Sequence, residues 1–262
     1  MQNFNPHIQK NLLSWEARTP IHLRSEFYDN EFFLKEQNSL KGIELQALNE
    51  VNNQHLLHLQ CHFGQDTLSW AKKGAKVTGV DFSPSAIAAA KELAQKTQLT
   101  AQFIESNVLE LDLNQEYDII YSSYGVLGWL PDLQQWGKVV SKHLKKGGTF
   151  LLVEFHPLID LLDIETQYGY FFDKHTKIEK QQGSYTDGGQ EVQTEYYWWS
   201  HSLTEIFKGL ESNGLKLKSF EEFDYSPYKL DGMVEREPNQ YVLEKRAKQS
   251  LPYVYALKAT KK

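Results

Sequence analysis

The chain of 262 residues holds one cysteine, Cys61. That excludes an internal disulfide and any cysteine metal cluster. It has no apolar run of eighteen residues and no basic-then-apolar start, so nothing reads as a membrane span or an export signal. The expectation is a cytoplasmic protein with no membrane partner. Basic blocks longer than a few residues are missing too: Lys plus Arg number 28 against 34 Asp plus Glu, a formal net charge of −6. A general nucleic-acid binder needs a positive field, so no nucleic-acid partner is expected. There is no Cys/His metal spacing, no His-Glu-x-x-His, no Gly-x-Ser-x-Gly and no internal repeat, and no metal is expected.

What is present is an ordinary globular composition, 40% hydrophobic and 24% charged, too apolar for disorder. The length suits one large core, read as one α/β domain with an insertion. Aromatics are unusual at 13%, clustered at Tyr168-Gly169-Tyr170-Phe171-Phe172 and Tyr196-Tyr197-Trp198-Trp199. The organising stretch is residues 56–84. Leu56, Leu57 and Leu59 form an apolar run that breaks at Gln60-Cys61-His62-Phe63-Gly64. A helical stretch from Asp66 to Lys73 stops at Gly74, and Ala75 to Val80 forms a second buried strand ending in Asp81. In a right-handed βαβ unit this places the loop and the acid at the carboxyl edge of neighbouring parallel strands. Asp81 follows His62 by nineteen residues, close to the ~20 used in ribose recognition.

This stretch resembles the first two motifs of the class I S-adenosylmethionine-dependent methyltransferases, in particular a bacterial branch with a Leu-Gln-Cys-His-Phe-Gly-Gln-Asp-Thr first motif. Three departures stand out. His58 occupies the place of the usual acid, Gln60 and His62 occupy the first two glycine positions, and Gly64 alone is kept. The resemblance implies a Rossmann-like seven-stranded methyltransferase sheet, mostly parallel with an antiparallel last strand and helices on both faces. It also implies S-adenosylmethionine as cofactor and S-adenosylhomocysteine as product. Residues 1–50 would be an N-terminal helical lid or leader, 51–262 the methyltransferase domain, and 158–200 a small β cap over the pocket mouth. Within the leader, Leu40, Ile43, Leu45 and Leu48 suggest a helix. His22 and Tyr28 are its candidate site residues, and Tyr28 is placed to bond the cofactor carboxylate or face its sulfonium.

The remaining elements follow in order. Ser83-Pro84 opens a helix as N-cap and first residue. A third strand at 101–108 ends in Asn107, whose amide oxygen would accept from the adenine amino group while the Val108 N–H donates to the ring; its alternative is a plain turn asparagine. The fourth strand, Tyr117 to Tyr124, brings Ser122, Ser123 and Tyr124 to the methionine end. Asp132 caps the next helix, with Trp136 in the core and Trp129 in the preceding loop as the pocket candidate. Lys145 to Gly148 reads as a turn and Thr149 to Glu154 as the fifth strand. A capped helix starts at Ser202, a sixth strand spans Leu215 to Phe223, and a last strand spans Pro252 to Ala259. The segment Lys258 to Lys262 reads as a frayed end.

The resemblance assigns Gln60, His62 and Gly64 to the methionine and ribose, Asp81 to the ribose hydroxyls and Phe82 to adenine. Asp66 is read as a helix cap. Methyl transfer from a sulfonium is an in-line displacement, so geometry supplies most of the rate. A general base is needed only for a protonated acceptor. His156, after the fifth strand, is the first candidate and Tyr124 an orienter. Trp129, Tyr197 and His201 are the candidate acceptor contacts. The leading expectation is O-, N- or S-methylation of a small molecule by a monomer or homodimer. The alternatives are an NAD-type Rossmann oxidoreductase, which calls for a fuller glycine loop, and a non-catalytic S-adenosylmethionine-binding module.

Overall fold

The structure is a computed structural model that describes residues 6–36, 38–162, 169–174 and 178–262; Tyr168, at the edge of the first aromatic run, lies outside them. Three helices come first: α1 (Pro6–His22), α2 (Asn30–Glu36) and α3 (Gly42–Ala47). Strands and helices then alternate as β1 (His55–Leu59), α4 (Gln65–Lys72), β2 (Lys76–Asp81), α5 (Pro84–Thr97), β3 (Ala101–Glu105), β4 (Tyr117–Ser123), α6 (Leu133–His143) and β5 (Leu144–Phe155). After a short α7 (Ile159–Leu162) come β6 (Ile178–Gln182), β7 (Gln193–Tyr197), α8 (Leu203–Glu211), β8 (Leu215–Phe223), β9 (Met233–Glu237), β10 (Gln240–Leu243) and β11 (Val254–Lys261).

Seven strands form one sheet of order β3-β2-β1-β4-β5-β11-β8. β1 to β5 pair in parallel, and β11 runs antiparallel to both β5 and β8. Six strands therefore share one direction and the last in sequence opposes them, as the methyltransferase resemblance implies. The central strands are apolar on both sides because helices cover both faces. Leu57, Ile120, Leu152 and Trp136 pack on one face, and Leu56, Tyr121, Leu151 and Trp70 on the other.

Local chemistry sets the helix starts. Ser83 Oγ accepts the Ala86 N–H at 3.1 Å ahead of Pro84. Asp132 accepts the Gln135 N–H at 2.9 Å, and Ser202 the Glu205 N–H at 3.3 Å. The Gln135 side chain donates to the Leu109 carbonyl at 2.7 Å. Two boundaries differ from the sequence expectation. β5 begins at Leu144, absorbing the Lys-Lys-Gly-Gly run through a register shift against β4, with Gly147 at φ 77°. The carboxyl-terminal lysines are paired, not frayed: Lys258 to Lys261 bond both β5 and β8.

Above the carboxyl ends of β1, β2 and β4 lies a roof made of distant segments. β6 and β7 form an antiparallel hairpin inside the 158–200 insertion. α1 is sewn to it: Asn11 bonds both backbone groups of Tyr197, and the buried Arg18 donates to Gln181 at 2.9 Å and Thr194 at 3.2 Å. A second hairpin, β9–β10, is joined by a bridge to Ser226. Among the described residues no helix is long and apolar enough to cross a membrane.

Candidate functional site

Between sheet and roof is a cavity of about 890 Å³, near the top of the ~300–1,000 Å³ usual for small-molecule sites. Its floor is the β1–α4 loop. The chain turns there through three left-handed residues in alternation, Gln60 at φ 56°, His62 at φ 50° and Gly64 at φ 83°. These are the three positions of the glycine pattern, and the backbone keeps its shape without two of the glycines. Gly64 cannot follow them, since a Cβ there would lie 2.7 Å from the Phe103 ring.

Asp81 holds the loop from the end of β2. One oxygen accepts the His62 N–H at 2.8 Å and the other the Ser83 N–H at 3.0 Å. Burial pushes its carboxyl up to about 6, against the pull of the Ser83, His62 and Phe82 amides. Glu154 does the same for the loop after β4. It accepts from the backbone N–H groups of Gly125, Val126, Leu127 and Phe155, and burial raises its carboxyl too.

At the end of β4, Ser123 and Ser39 donate hydroxyls to the two oxygens of Asp66, at 3.2 and 2.5 Å. Asp66 therefore faces the cavity instead of capping α4. Tyr124 follows at φ 44°, a strained setting for a bulky residue. Its hydroxyl donates to the buried Glu44 at 2.8 Å. Burial, then the nearby Asp66 charge, lifts Glu44 to about 7.

The roof wall is aromatic. Tyr28 and Tyr185 hydroxyls meet at 2.5 Å. Trp15 packs edge-on to His62 and Trp129, and Phe27 stacks on Tyr228. His22 Nδ1 meets His62 Nε2 at 2.9 Å, and His22 Nε2 meets Ser184 at 2.7 Å. Burial, then Arg18, drives His22 down to about 3; burial, then His22, holds His62 well below its ordinary value. Burial also takes His58 to about 4. The site histidines are neutral bases at neutral pH.

Of the residues singled out in the sequence, the cavity brings together Tyr28, Gln60, His62, Gly64, Asp81 and Phe82, and with them Asn107, Val108, Ser123, Tyr124 and Trp129. Asn107 Oδ1 also accepts the Leu109 N–H at 3.1 Å, capping a short 3-10 turn. Five others lie outside the cavity wall, His22 among them, behind His62. Strand alternation turns Ser122 to the opposite face, beside Leu152. His156 is buried beside β8, with Nε2 3.1 Å from Glu222 and Nδ1 accepting from the Leu158 N–H; it does not reach the cavity as a base. Tyr197 belongs to the α1 seam, its ring edge-on to His7. His201 bonds the Leu130 carbonyl at 2.8 Å and lies 3.2 Å from Glu205. Sequence reasoning missed Tyr185, Tyr228 and Glu44. Only the Tyr-Ser-Pro-Tyr run at 225–228 carries a local hint, an aromatic turn signal.

Residues 57–150 match the family model described as a methyltransferase domain. The chain is 33% identical over 105 residues to the uncharacterized methyltransferase sll0829 of Synechocystis, 39% of this chain and 48% of that protein. It is 36% identical over 111 residues to the ubiquinone biosynthesis O-methyltransferase of Coxiella burnetii, 42% of this chain and 46% of that protein. The chain thus spans about half the length of the curated relatives it matches. Over its whole fold it is similar to an S-adenosylmethionine-dependent methyltransferase from Clostridium acetobutylicum, with TM-score 0.59, 17% identity and coverage of 96% and 98%. The PH0226 protein of Pyrococcus horikoshii gives TM-score 0.62 at 15% identity, over 92% and 96%. With the antiparallel β11 between β5 and β8 and the strand–loop–helix–strand–acid unit at its centre, the chain has the fold of the S-adenosylmethionine-dependent methyltransferases, and its residues 57–150 are similar to a methyltransferase domain.

Proposed function

We propose that this chain is a cytoplasmic S-adenosylmethionine-dependent methyltransferase acting on a small-molecule acceptor. One observation carries the reading. His58 near the end of β1 and Gln60 and His62 of the loop that follows, alternate residues, each line the cavity and carry a buried side-chain atom lacking a protein partner: Nε2, Oε1 and Nδ1. Buried polar atoms left unpaired cost ~1–3 kcal/mol each, so three in one strand–loop stretch mark a place for a polar ligand. The methionine end of the cofactor, with its ammonium and carboxylate, supplies donors and acceptors of the kind they lack. Here side chains take over where the usual pattern offers a bare glycine backbone.

The other assignments follow from place. Asp81 receives the ribose hydroxyls, Phe82 lies against adenine, and Asn107 with the Val108 amide serves the adenine edge. Tyr28 faces the sulfonium, and Trp129 bounds the acceptor side. Bound S-adenosylmethionine supplies an electrophilic methyl on a sulfonium that leaves as a neutral thioether. The protein's work is to hold the acceptor in line and keep water out, which the roof is built to do. The Coxiella O-methyltransferase supports transfer chemistry. Its acceptor is not carried over, because the match covers 42% of this chain and 46% of that protein.

The test is calorimetric titration with S-adenosylmethionine, S-adenosylhomocysteine and NAD in parallel. Micromolar binding of the first two and none of NAD is expected. Binding of NAD alone, or of none of the three, overturns the reading.

A further inference from the structure

We propose that the methyl acceptor is an amine that enters as its ammonium, and that it is received between the rings of Tyr28, Tyr124, Tyr185 and Tyr228 beside the Asp66 carboxylate. This rests on the methyltransferase reading and names the substrate class of the same cavity.

The charge around the cavity is one-sided. Asp29, Asp66 and Asp81 line it, and Lys41 is the one Lys or Arg among the described lining residues. Arg18 lies behind the wall, over the Trp129 and Tyr196 rings. His22, His58 and His62 are held neutral by burial. A carboxylate or phosphate acceptor would meet little counter-charge, whereas a cation would meet a carboxylate. Asp81 is taken up with the cofactor loop. Asp66 is not: it is oriented by two hydroxyls, Ser39 and Ser123, and has no Lys or Arg among its described hydrogen-bond or ion-pair partners.

The rings add to this. Burial raises the phenols of Tyr28, Tyr124 and Tyr228 well above their ordinary value, so they stay neutral and offer π faces and hydroxyl oxygens. Aromatic faces attract ammonium groups, by ~0.5–1 kcal/mol when exposed and ~2 when desolvated. The chain shows the preference itself: the Lys41 ammonium sits 4.6 Å above the Tyr228 ring. Phe155 and Trp129, also on the wall, are apolar and suit a hydrocarbon or aryl body attached to the amine.

An ammonium must lose a proton before its nitrogen can attack. Tyr124, with its hydroxyl 2.8 Å from Glu44, provides the route. The substrate proton passes to Tyr124 Oη while the tyrosine's own proton passes to Glu44 Oε2. The freed nitrogen lone pair then forms the N–CH3 bond with the methyl of the sulfonium donor. The S–CH3 bond breaks, its electron pair stays on sulfur, and the product leaves as the methylated ammonium. Glu44 returns its proton to water. Asp66, Tyr121, Tyr225 and Tyr228 are the other titratable groups facing Glu44, and the Asp66 charge opposes its ionisation less once an ammonium lies beside it.

The probes are 2-phenylethylamine, 2-phenylethanol and 3-phenylpropionate, close in shape and different in charge, titrated calorimetrically into protein saturated with S-adenosylhomocysteine. The amine is expected to bind at least tenfold tighter than the alcohol, and the propionate more weakly than either. Tyr228→Phe keeps the ring and should hold amine affinity within about twofold, while Tyr228→Leu should lower it about fivefold. Asp66→Asn should bring the amine down to the alcohol. Equal amine and alcohol affinities in the native protein, no amine binding, or tightest binding of the propionate overturns the amine assignment alone. Failure of S-adenosylhomocysteine to bind in the same cell removes the methyltransferase reading and this inference with it.

Discussion

The floor of the cavity and its roof are built on opposite plans. In the floor, two buried carboxylates, Asp81 and Glu154, each gather the backbone N–H groups of a neighbouring loop. Those bonds fix main chain, so the β1–α4 loop keeps its shape without glycine at two of its three left-handed positions, Gly64 being the exception. This is how Gln60 and His62 sit in left-handed positions where glycine is usual. The roof is held by side chains reaching across the sequence: Arg18 to Gln181 and Thr194, Asn11 to Tyr197, Lys10 to Glu195. Main-chain bonding lets the floor loops tolerate changes of residue. Side-chain seams let the roof change without touching the floor.

Removing the central group from each half tests that contrast. Asp81→Ala strips the His62 and Ser83 amides of their acceptor and removes the carboxylate proposed to receive the ribose. Calorimetry should show S-adenosylhomocysteine binding at least tenfold weaker, since charge-assisted bonds to a ligand are lost. Arg18→Ala removes two bonds to the hairpin and the stacking on Tyr196 at 4.8 Å. Chemical denaturation should show a loss of about 3 kcal/mol for a buried, hydrogen-bonded cation, with cofactor affinity nearly unchanged. If Arg18→Ala weakened the cofactor as much as Asp81→Ala does, the two halves would not be separable.

Acidity sharpens the comparison, because burial brings Asp81 of the floor up to about 6 and drives the histidines around it down. Burial raises the Asp81 carboxyl from 3.8 to about 6. Its contribution to the stability of the free protein is present below about pH 4 and is lost as pH rises through about 6, because the fold then buries a charge. Ligand affinity runs the other way, since ribose hydroxyls donate best to the ionised carboxylate. Between pH 5 and 7 S-adenosylhomocysteine should bind about tenfold tighter, from one group titrating near 6. His22 and His58, held at about 3 and about 4, stay neutral across that window. Asp81→Asn should abolish the pH dependence, and a slope that survives it would point to another group.

The same division decides what the sequence could reveal. The floor was legible because its signals are local: an apolar run, a tight loop, a helix stop, an acid at fixed spacing, then Ser83-Pro84 as a cap. The β11 excursion was legible as a late apolar strand, although burial on both faces hides which side of it points where. The roof was not legible. Its hairpin could be inferred from turns at Gly183 and Gly188-Gly189, but nothing in a linear pattern says that Tyr185 will meet Tyr28 or that Phe27 will stack on Tyr228. Glu44 reads as a helix residue until α3 is folded against Tyr124. His156 failed as a base for the complementary reason: sequence placed it after the correct strand, and the neighbouring β8 took its side chain out of the cavity.

The smallest effect is expected at a contact that crosses from floor to roof, that of His62 with His22. His62 occupies a glycine position at φ 50°, and a non-glycine residue there costs ~1–3 kcal/mol. It is kept in place by the hydrogen bond its N–H donates to Asp81 and by His22 at 2.9 Å. His62→Gly relieves the backbone and loses the His22 bond, worth ~1 kcal/mol. The two should nearly cancel, leaving the stability within about 1 kcal/mol of the native protein by chemical denaturation. Affinity should not cancel. If Nδ1 of His62 contributes to the side-chain cradle for the methionine end, S-adenosylhomocysteine should bind about fivefold weaker, the worth of one hydrogen bond. Unchanged or tighter binding would mean that the backbone alone does the work here, as in a full glycine loop, and that His62 serves the roof.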